Sequence, residues 1–319
     1  MKTSRLFISA LIGMAALTGC QPAVKTNNVC NDTCTCPATT EEVPVALLTD
    51  TPVITAPPAE LKLDPFYKKY MNVNGIHVVS SWRVPDSCFY AAYISIKALT
   101  DILPREVMKS LTDRHTRIGI MARYEGTTDI PEHAFLAKDT TLNWDVRAHG
   151  LGGDAEHPFS TCAEENILAY QIDKYHAEDI LIHEFAHTIH GAGILPIHPE
   201  FNDELQASLD AAVAKGRWKN VYAATNVWEY WAEGVQNWFN VNAEVNTDDG
   251  DGKHNKINTR EELKAYDPGL YTILARYFPE IKEQVSRHKK NGSIPLDRIT
   301  PENKTVFKHK NRTGQAIIL

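Results

Sequence analysis

Residues 183–187 read His-Glu-Phe-Ala-His, and no other stretch restricts the fold of this chain as tightly. Two histidines four residues apart on a helix meet on one face, one turn above each other. Held that way, they can grip a single metal ion. Glu184, one residue past the first histidine, can then lean over a metal-bound water as general base. Ile180, Leu181, Ala186 and Ile189 alternate with these polar groups, as expected of a buried amphipathic helix over 177–190, and Gly191 and Gly193 suit its end. The plain alternative is a core helix that happens to carry two histidines.

A catalytic zinc ion needs three protein ligands and one open position. In metzincins the third is a histidine six residues after the second, with a glycine between; here those positions hold Gly193 and His190 in the opposite order. His190 shares the helix face but lies two turns from His183, about 10 Å along the axis, too far for one ion to join both. His190 is therefore expected to pack behind the site or to touch substrate. Residues 227–239 (VWEYWAEGVQNWF) offer a better source. Glu229 and Glu233 are four apart on one helix face among Trp228, Trp231, Val235 and Trp238. Carboxylates in so apolar a helix are costly unless paired or metal-bound. A glutamate from a second helix is the third ligand in gluzincins, and either acid fits that role by position.

The segment Tyr222-Ala-Ala-Thr-Asn-Val-Trp-Glu229-Tyr-Trp-Ala-Glu233, following the histidine motif, resembles the catalytic domain of anthrax lethal factor and its relatives, which include secreted clostridial Pro-Pro endopeptidases. The resemblance covers about residues 177–240. It implies a zincin-like fold, one zinc ion per chain, and His183, His187 and Glu229 as its ligands. It also implies Glu184 as the base, Tyr222 as a phenol that stabilises the oxyanion, and Glu233 as an acid behind the ligands. Residues 61–160 and 247–258 fall outside the resemblance, so substrate preference does not transfer.

The amino terminus sets a compartment. Lys2 and Arg5 precede an apolar run from 6 to 17, too short to span a bilayer, which has the form of an export signal. It ends Leu17-Thr18-Gly19-Cys20 and resembles the lipobox of bacterial lipoproteins, in which the cysteine is acylated and becomes the new amino terminus. Two or more acyl chains give stable anchoring. Residues 1–19 are thus expected to be a lipoprotein signal peptide, and the domain to sit at the bacterial cell envelope, held by lipid on Cys20. Gln21 gives a weak preference for the outer membrane.

Residues 20–60, rich in Thr, Pro, Val and Ala, suit a flexible tether. Cys30, Cys34 and Cys36 lie within it; an exported protein favours disulfides over a metal knuckle there. Cys88 and Cys162 remain in the globular part and are expected to form a disulfide, stabilising by roughly 4 kcal/mol in the chain-entropy model.

Residues 61–290 suffice for one catalytic domain, with a polar extension over 291–319. Strands are expected at 75–81 and 117–123. Helices are expected at 86–103 and 104–113, then at 163–171, 177–190, 200–215, 226–240, 260–276 and 279–289. Early strands and late helices mean an α+β fold with a small sheet, an active-site helix and a mostly helical carboxy-terminal half. The loop over 124–161 is long enough to carry function, and Asp145, Arg147 and His149 in it could line a cleft. The 117–123 strand could be an edge on which an extended peptide pairs. The acidic run 246–252 matches no calcium-loop register and reads as a solvated turn. Thr259 and Glu262 form a capping-box pattern.

A net charge of −7 without a basic stripe argues against nucleic acid. The expected function is a zinc-dependent metallopeptidase acting on proteins or peptides, with a membrane contact through the lipid anchor. A zinc-dependent cell-wall amidase or a non-catalytic zinc-binding surface lipoprotein would share the same metal motif.

Overall fold

A computed structural model of the chain describes residues 52–170, 172–175, 178–247, 249–282 and two short strands at 309–310 and 316–317. Cys20, Cys30, Cys34 and Cys36 lie outside these residues, as does most of the helix expected over 279–289; residues 279–282 are not helical.

In chain order the elements are β1 (Lys69–Val73), β2 (Ile76–Ser80), α1 (Asp86–Thr100), α2 (Arg105–Asp113), β3 (Arg117–Met121), α3 (Trp144–Arg147), β4 (Gly150–Leu151) and β5 (Phe159–Ala163). There follow α4 (Glu164–Ile167), α5 (Ile180–Thr188), α6 (Phe201–Val213), α7 (Val227–Trp238), α8 (Arg260–Tyr266) and α9 (Pro268–Leu274), then β6 (His309–Lys310) paired with β7 (Ala316–Ile317). The fold is a mixed α/β arrangement of many helices with a small five-stranded sheet, ordered β1-β2-β3-β5-β4.

Local chemistry accounts for the sheet. Asn74 and Gly75 have φ of 51° and 88°, so they form the tight turn that sets Val73 opposite Ile76. That Asn-Gly pair was the signal for β1, which the hydrophobic pattern alone does not reveal. β2, β3 and β5 run parallel, and the chain needs α1 and α2 to cross from β2 to β3. Along the strands Val78, Ile118, Ile120 and Cys162 face the helical core. Val79, Met121, Phe159 and Ala163 face the other way, with Ile130 among the 3₁₀ turns of residues 127–138. Burial on both faces explains why β3 reads as a nearly unbroken apolar run.

Four expectations are corrected here. First, the 117–123 segment forms β3 inside the sheet rather than an edge, and β4 is the edge strand next to β5. Second, the chain has joined the sheet before residue 60, since Thr55 exchanges backbone hydrogen bonds with Tyr70 at 2.8 and 2.9 Å. Third, the helix expected over 260–276 is two, because the Asp267 carboxylate accepts from Gly269 and Leu270 N–H and Pro268 opens α9.

Fourth, Cys88 and Cys162 do not form the expected disulfide; both are thiols in the main core. Cys162 Sγ lies 3.7 Å from Ala163 O and 3.8 Å from Asn166 Oδ1. Burial, with Asp179 and Asp173 nearby, pushes its pKa well up and so suppresses the thiolate that exchange requires. The two side chains pack as small apolar groups.

Candidate metal centre

Two capped helices build the site. The Asp179 carboxylate accepts from Ile182 N–H at 2.9 Å and starts α5, and Asn226 Oδ1 accepts from Trp228 and Glu229 N–H to start α7. Each cap is worth about 1 kcal/mol. Trp231 on α7 is fully buried and donates from Nε1 to Ala186 O on α5 at 2.9 Å. That bond fixes the height of one helix against the other. Thr188 is followed by a π-helical turn, Ile189–Ile194, which carries the chain through both glycines.

The result brings three donors to one point. His183 Nε2 is 3.2 Å from His187 Nε2 and 3.2 Å from Glu229 Oε2, and His187 Nε2 is 3.4 Å from the same oxygen. Ligands at the corners of a tetrahedron, with bonds of about 2.0–2.1 Å, stand about 3.3 Å apart. The triangle therefore fits one tetrahedral zinc ion with its fourth corner open.

The electrostatics agree. Burial works against a charge on His183, but the bond to Glu229 and the fields of Glu184, Glu229 and Glu233 outweigh it and push the imidazole up to about 10. Burial holds His187 below the ordinary histidine value. Burial would raise Glu229, yet His187 and the bonds from both imidazoles hold its carboxyl well below the usual range. One carboxylate and two imidazoles held together away from water form a donor set that a bound cation suits.

Glu184 is buried beside this cluster, and its Oε2 has no hydrogen-bond partner among the described residues. Burial, opposed by His183, pushes its pKa up to about 8. The Tyr222 hydroxyl donates to Glu229 Oε1 at 3.3 Å, placing the phenol within reach of the metal position.

The remaining expected residues lie around this cluster and farther off. Glu233 Oε1 is 3.9 Å from His183 Nδ1, whereas Gln236 Oε1 is only 2.8 Å away. Gln236 is thus the closer support of the ligand. It shares a helix face with positions 229 and 233. His190 does not join the triangle. Its Nε2 bonds Asn202 Oδ1 at 2.8 Å, its ring lies 4.2 Å from that of Trp228, and burial lowers its pKa to about 3. Asp145 and His149 brace the long loop: Asp145 accepts from Thr128 N and Oγ1 and also lines a cavity away from the metal cluster, and His149 Nδ1 meets Glu165 Oε1 at 2.6 Å. The Thr259–Glu262 capping box is formed.

The same loop presses β4 against the active helix. A Cβ on Gly150 would stand 2.6 Å from Ile180 Cγ2 and 3.0 Å from Glu184 Cγ, and one on Gly152 would overlap the His187 side chain. Both glycines are thus required for the sheet edge to approach the metal position. A cavity of about 400 Å³ lies elsewhere, between Leu136, Asp139 and Trp144, and none of the metal-cluster residues lines it.

No protein-family model matches this chain, and no curated protein sequence matches it. Among solved structures, the Pro-Pro endopeptidase PPEP-2 from Paenibacillus alvei aligns with 62% of this chain and 96% of its own, at 18% identity and a TM-score of 0.42. Values that low assign neither fold nor activity.

Proposed function

We propose that the chain is a zinc-dependent metallopeptidase of gluzincin type that hydrolyses peptide bonds in proteins or peptides at the bacterial cell envelope. The observation that carries this reading is the triangle of His183, His187 and Glu229 donors, with edges of 3.2–3.4 Å, beside Glu184, whose Oε2 has no hydrogen-bond partner among the described residues.

Held by those three residues, zinc supplies Lewis acidity and acidifies water toward neutrality. The chain's own groups do the rest. Glu184 Oε2 takes a proton from the attacking water and later delivers it to the leaving amine, a role that suits a carboxyl raised by burial toward the working pH. The Tyr222 hydroxyl, now donating to Glu229, turns to the carbonyl oxygen as negative charge develops there. Gln236 keeps His183 facing the metal. The outer edge of β4, beside α5, offers backbone groups to which an extended peptide can pair.

The envelope location rests on the Lys2 to Cys20 pattern alone. Radiolabelled fatty acid should enter the wild-type chain and not Cys20→Ser.

The deciding experiment compares zinc content and peptide-library cleavage for wild type and Glu184→Gln. Zinc in both proteins, with cleavage by wild type only, is expected. Zinc in both without cleavage by either would sink the peptidase reading, and digestion of isolated sacculi would then test an amidase.

A further inference from the structure

Behind the first triangle lies a second buried cluster: Glu178, just before α5, Glu233 on α7, and His254 in the loop that precedes α8. One ligand atom from each falls within 4.8 Å of the others. All three residues are at least nine-tenths buried, at 2%, 4% and 8% exposure.

The cluster is poorly explained as an ion-pair network. His254 Nε2 is 3.6 Å from Glu178 Oε1, and its Nδ1 is 3.7 Å from Glu233 Oε2. Charge-assisted hydrogen bonds would draw such groups to about 2.7–2.9 Å. Instead, His254 Nδ1 has no hydrogen-bond partner among the described residues. One imidazole gives a single nitrogen to an ion, and one nitrogen of His254 with one oxygen from each carboxylate already falls within 4.8 Å, a span that small side-chain movements close onto one ion. Charge leads the same way. A protonated His254 would leave this cluster with one uncompensated buried carboxylate, beside Glu184 and Glu229. A divalent cation with neutral His254 would leave none, and burying an unpaired charge is costly.

The neighbouring chain is built to present these groups. Asp251 Oδ1 accepts from Lys253 and His254 N–H, both at 2.9 Å, turning the loop inward. Asn242 Nδ2 donates to Glu233 Oε2 at 2.8 Å and orients that carboxylate.

We propose that Glu178, Glu233 and His254 bind a second divalent cation, of the zinc class, with a structural role. Two carboxylates and one imidazole are a donor set suited to Zn2+ or Mn2+. The ion would fasten together three segments that the first site depends on: the start of α5, the middle of α7, and the loop whose Lys253 O accepts from Tyr222 N–H at 2.8 Å. The proposal does not rest on the peptidase reading.

The test counts zinc bound by the full chain after metal removal, reloading with Zn2+ and desalting, for wild type, His187→Ala, His254→Ala and Glu178→Gln. Each variant is expected to hold one zinc fewer than wild type. Reading differences between proteins removes any zinc held by the thiols of Cys20 to Cys36. Because loss of metal and loss of fold can coincide in His254→Ala, a second readout uses His187→Ala, in which the first site is broken. Added Zn2+ should raise its melting temperature, and that rise should vanish in His187→Ala/Glu178→Gln. An unchanged zinc count in folded His254→Ala, or no Zn2+-induced rise in His187→Ala, would overturn the second site. Loss of zinc from His187→Ala alone would do the same while leaving the first site intact.

Discussion

His183 Nδ1 lies 2.8 Å from Gln236 Oε1, and this pair decides which nitrogen of His183 can bind metal. The orientation of the amide is fixed from behind, because Gln236 Nε2 donates to Asp179 O at 3.0 Å. An amide oxygen only accepts, so Nδ1 carries the proton and Nε2 offers its lone pair toward His187 and Glu229. Asp179 also caps α5. One residue therefore sets both where the helix begins and how its first ligand is turned.

Gln236→Leu should remove that support and weaken zinc binding by about 10–100-fold, the usual effect of losing such a partner. Gln236→Glu keeps an acceptor facing Nδ1 and should retain most of the affinity. Competition with a fluorescent chelator measures both. Equal affinity in wild type and the leucine variant would show that Glu233, at 3.9 Å, is the effective support.

The two acids closest to the metal position should separate cleanly. Glu229→Ala removes a donor and should lose zinc as completely as His183→Ala. Glu184→Gln touches no donor and should keep zinc while losing turnover. Elemental analysis with a peptidase assay distinguishes them, and full zinc in Glu229→Ala would shift the third ligand to another side chain.

Tyr222→Phe should keep zinc and fold, since the hydroxyl makes one bond of 3.3 Å to Glu229. Its turnover should fall by about 10²–10³, as expected when one oxyanion donor is lost, with little change in KM. An unchanged kcat would mark Tyr222 as a core tyrosine.

The parts of the site written within one helix turn were the legible ones. His183, Glu184 and His187 follow from helical spacing alone, whereas acids placed among tryptophans narrow the third donor only to Glu229 or Glu233, and the resemblance alone implied Glu229. Gln236 lay on the same face but carried no signal of its own, because a glutamine in a helix is usually solvated, and only the fold shows that this one is buried and therefore needs its partners. Glu178 and His254 were out of reach for another reason. They stand 76 positions apart in the sequence and meet only because the loop before α8 folds back against the start of α5. Sheet order is non-local in the same way: periodicity marks residues 117–121 as a strand, yet only the pairing of β3 with β2 and β5 makes it interior.

Gly152→Ala should be among the most damaging conservative changes in the chain. The added methyl group would overlap His187, which is held by the helix and by the contact of its ring with Trp228. Either β4 moves off α5 or His187 leaves the triangle. Overpacking of this kind costs about 1–3 kcal/mol, and here it should also lower zinc affinity. Urea denaturation with and without a chelator separates the two effects. A variant equal to wild type in both would show that β4 is mobile against the helix.

The buried thiols give a test with the opposite expectation. Cys88 and Cys162 are 0% exposed, and burial holds the Cys162 thiol well above its ordinary pKa. Neither should react with a thiol reagent in the native chain, and both should react after unfolding. Cys88→Ala and Cys162→Ala should each cost roughly 1–2 kcal/mol, the loss of a small packed group, and a reductant should leave the melting temperature of wild type unchanged. A disulfide closing this loop would have stabilised by roughly 4 kcal/mol in the chain-entropy model, a loss that thermal unfolding would register at once. A clear fall in melting temperature with reductant, absent in Cys88→Ala, would therefore restore the crosslink that the sequence led one to expect.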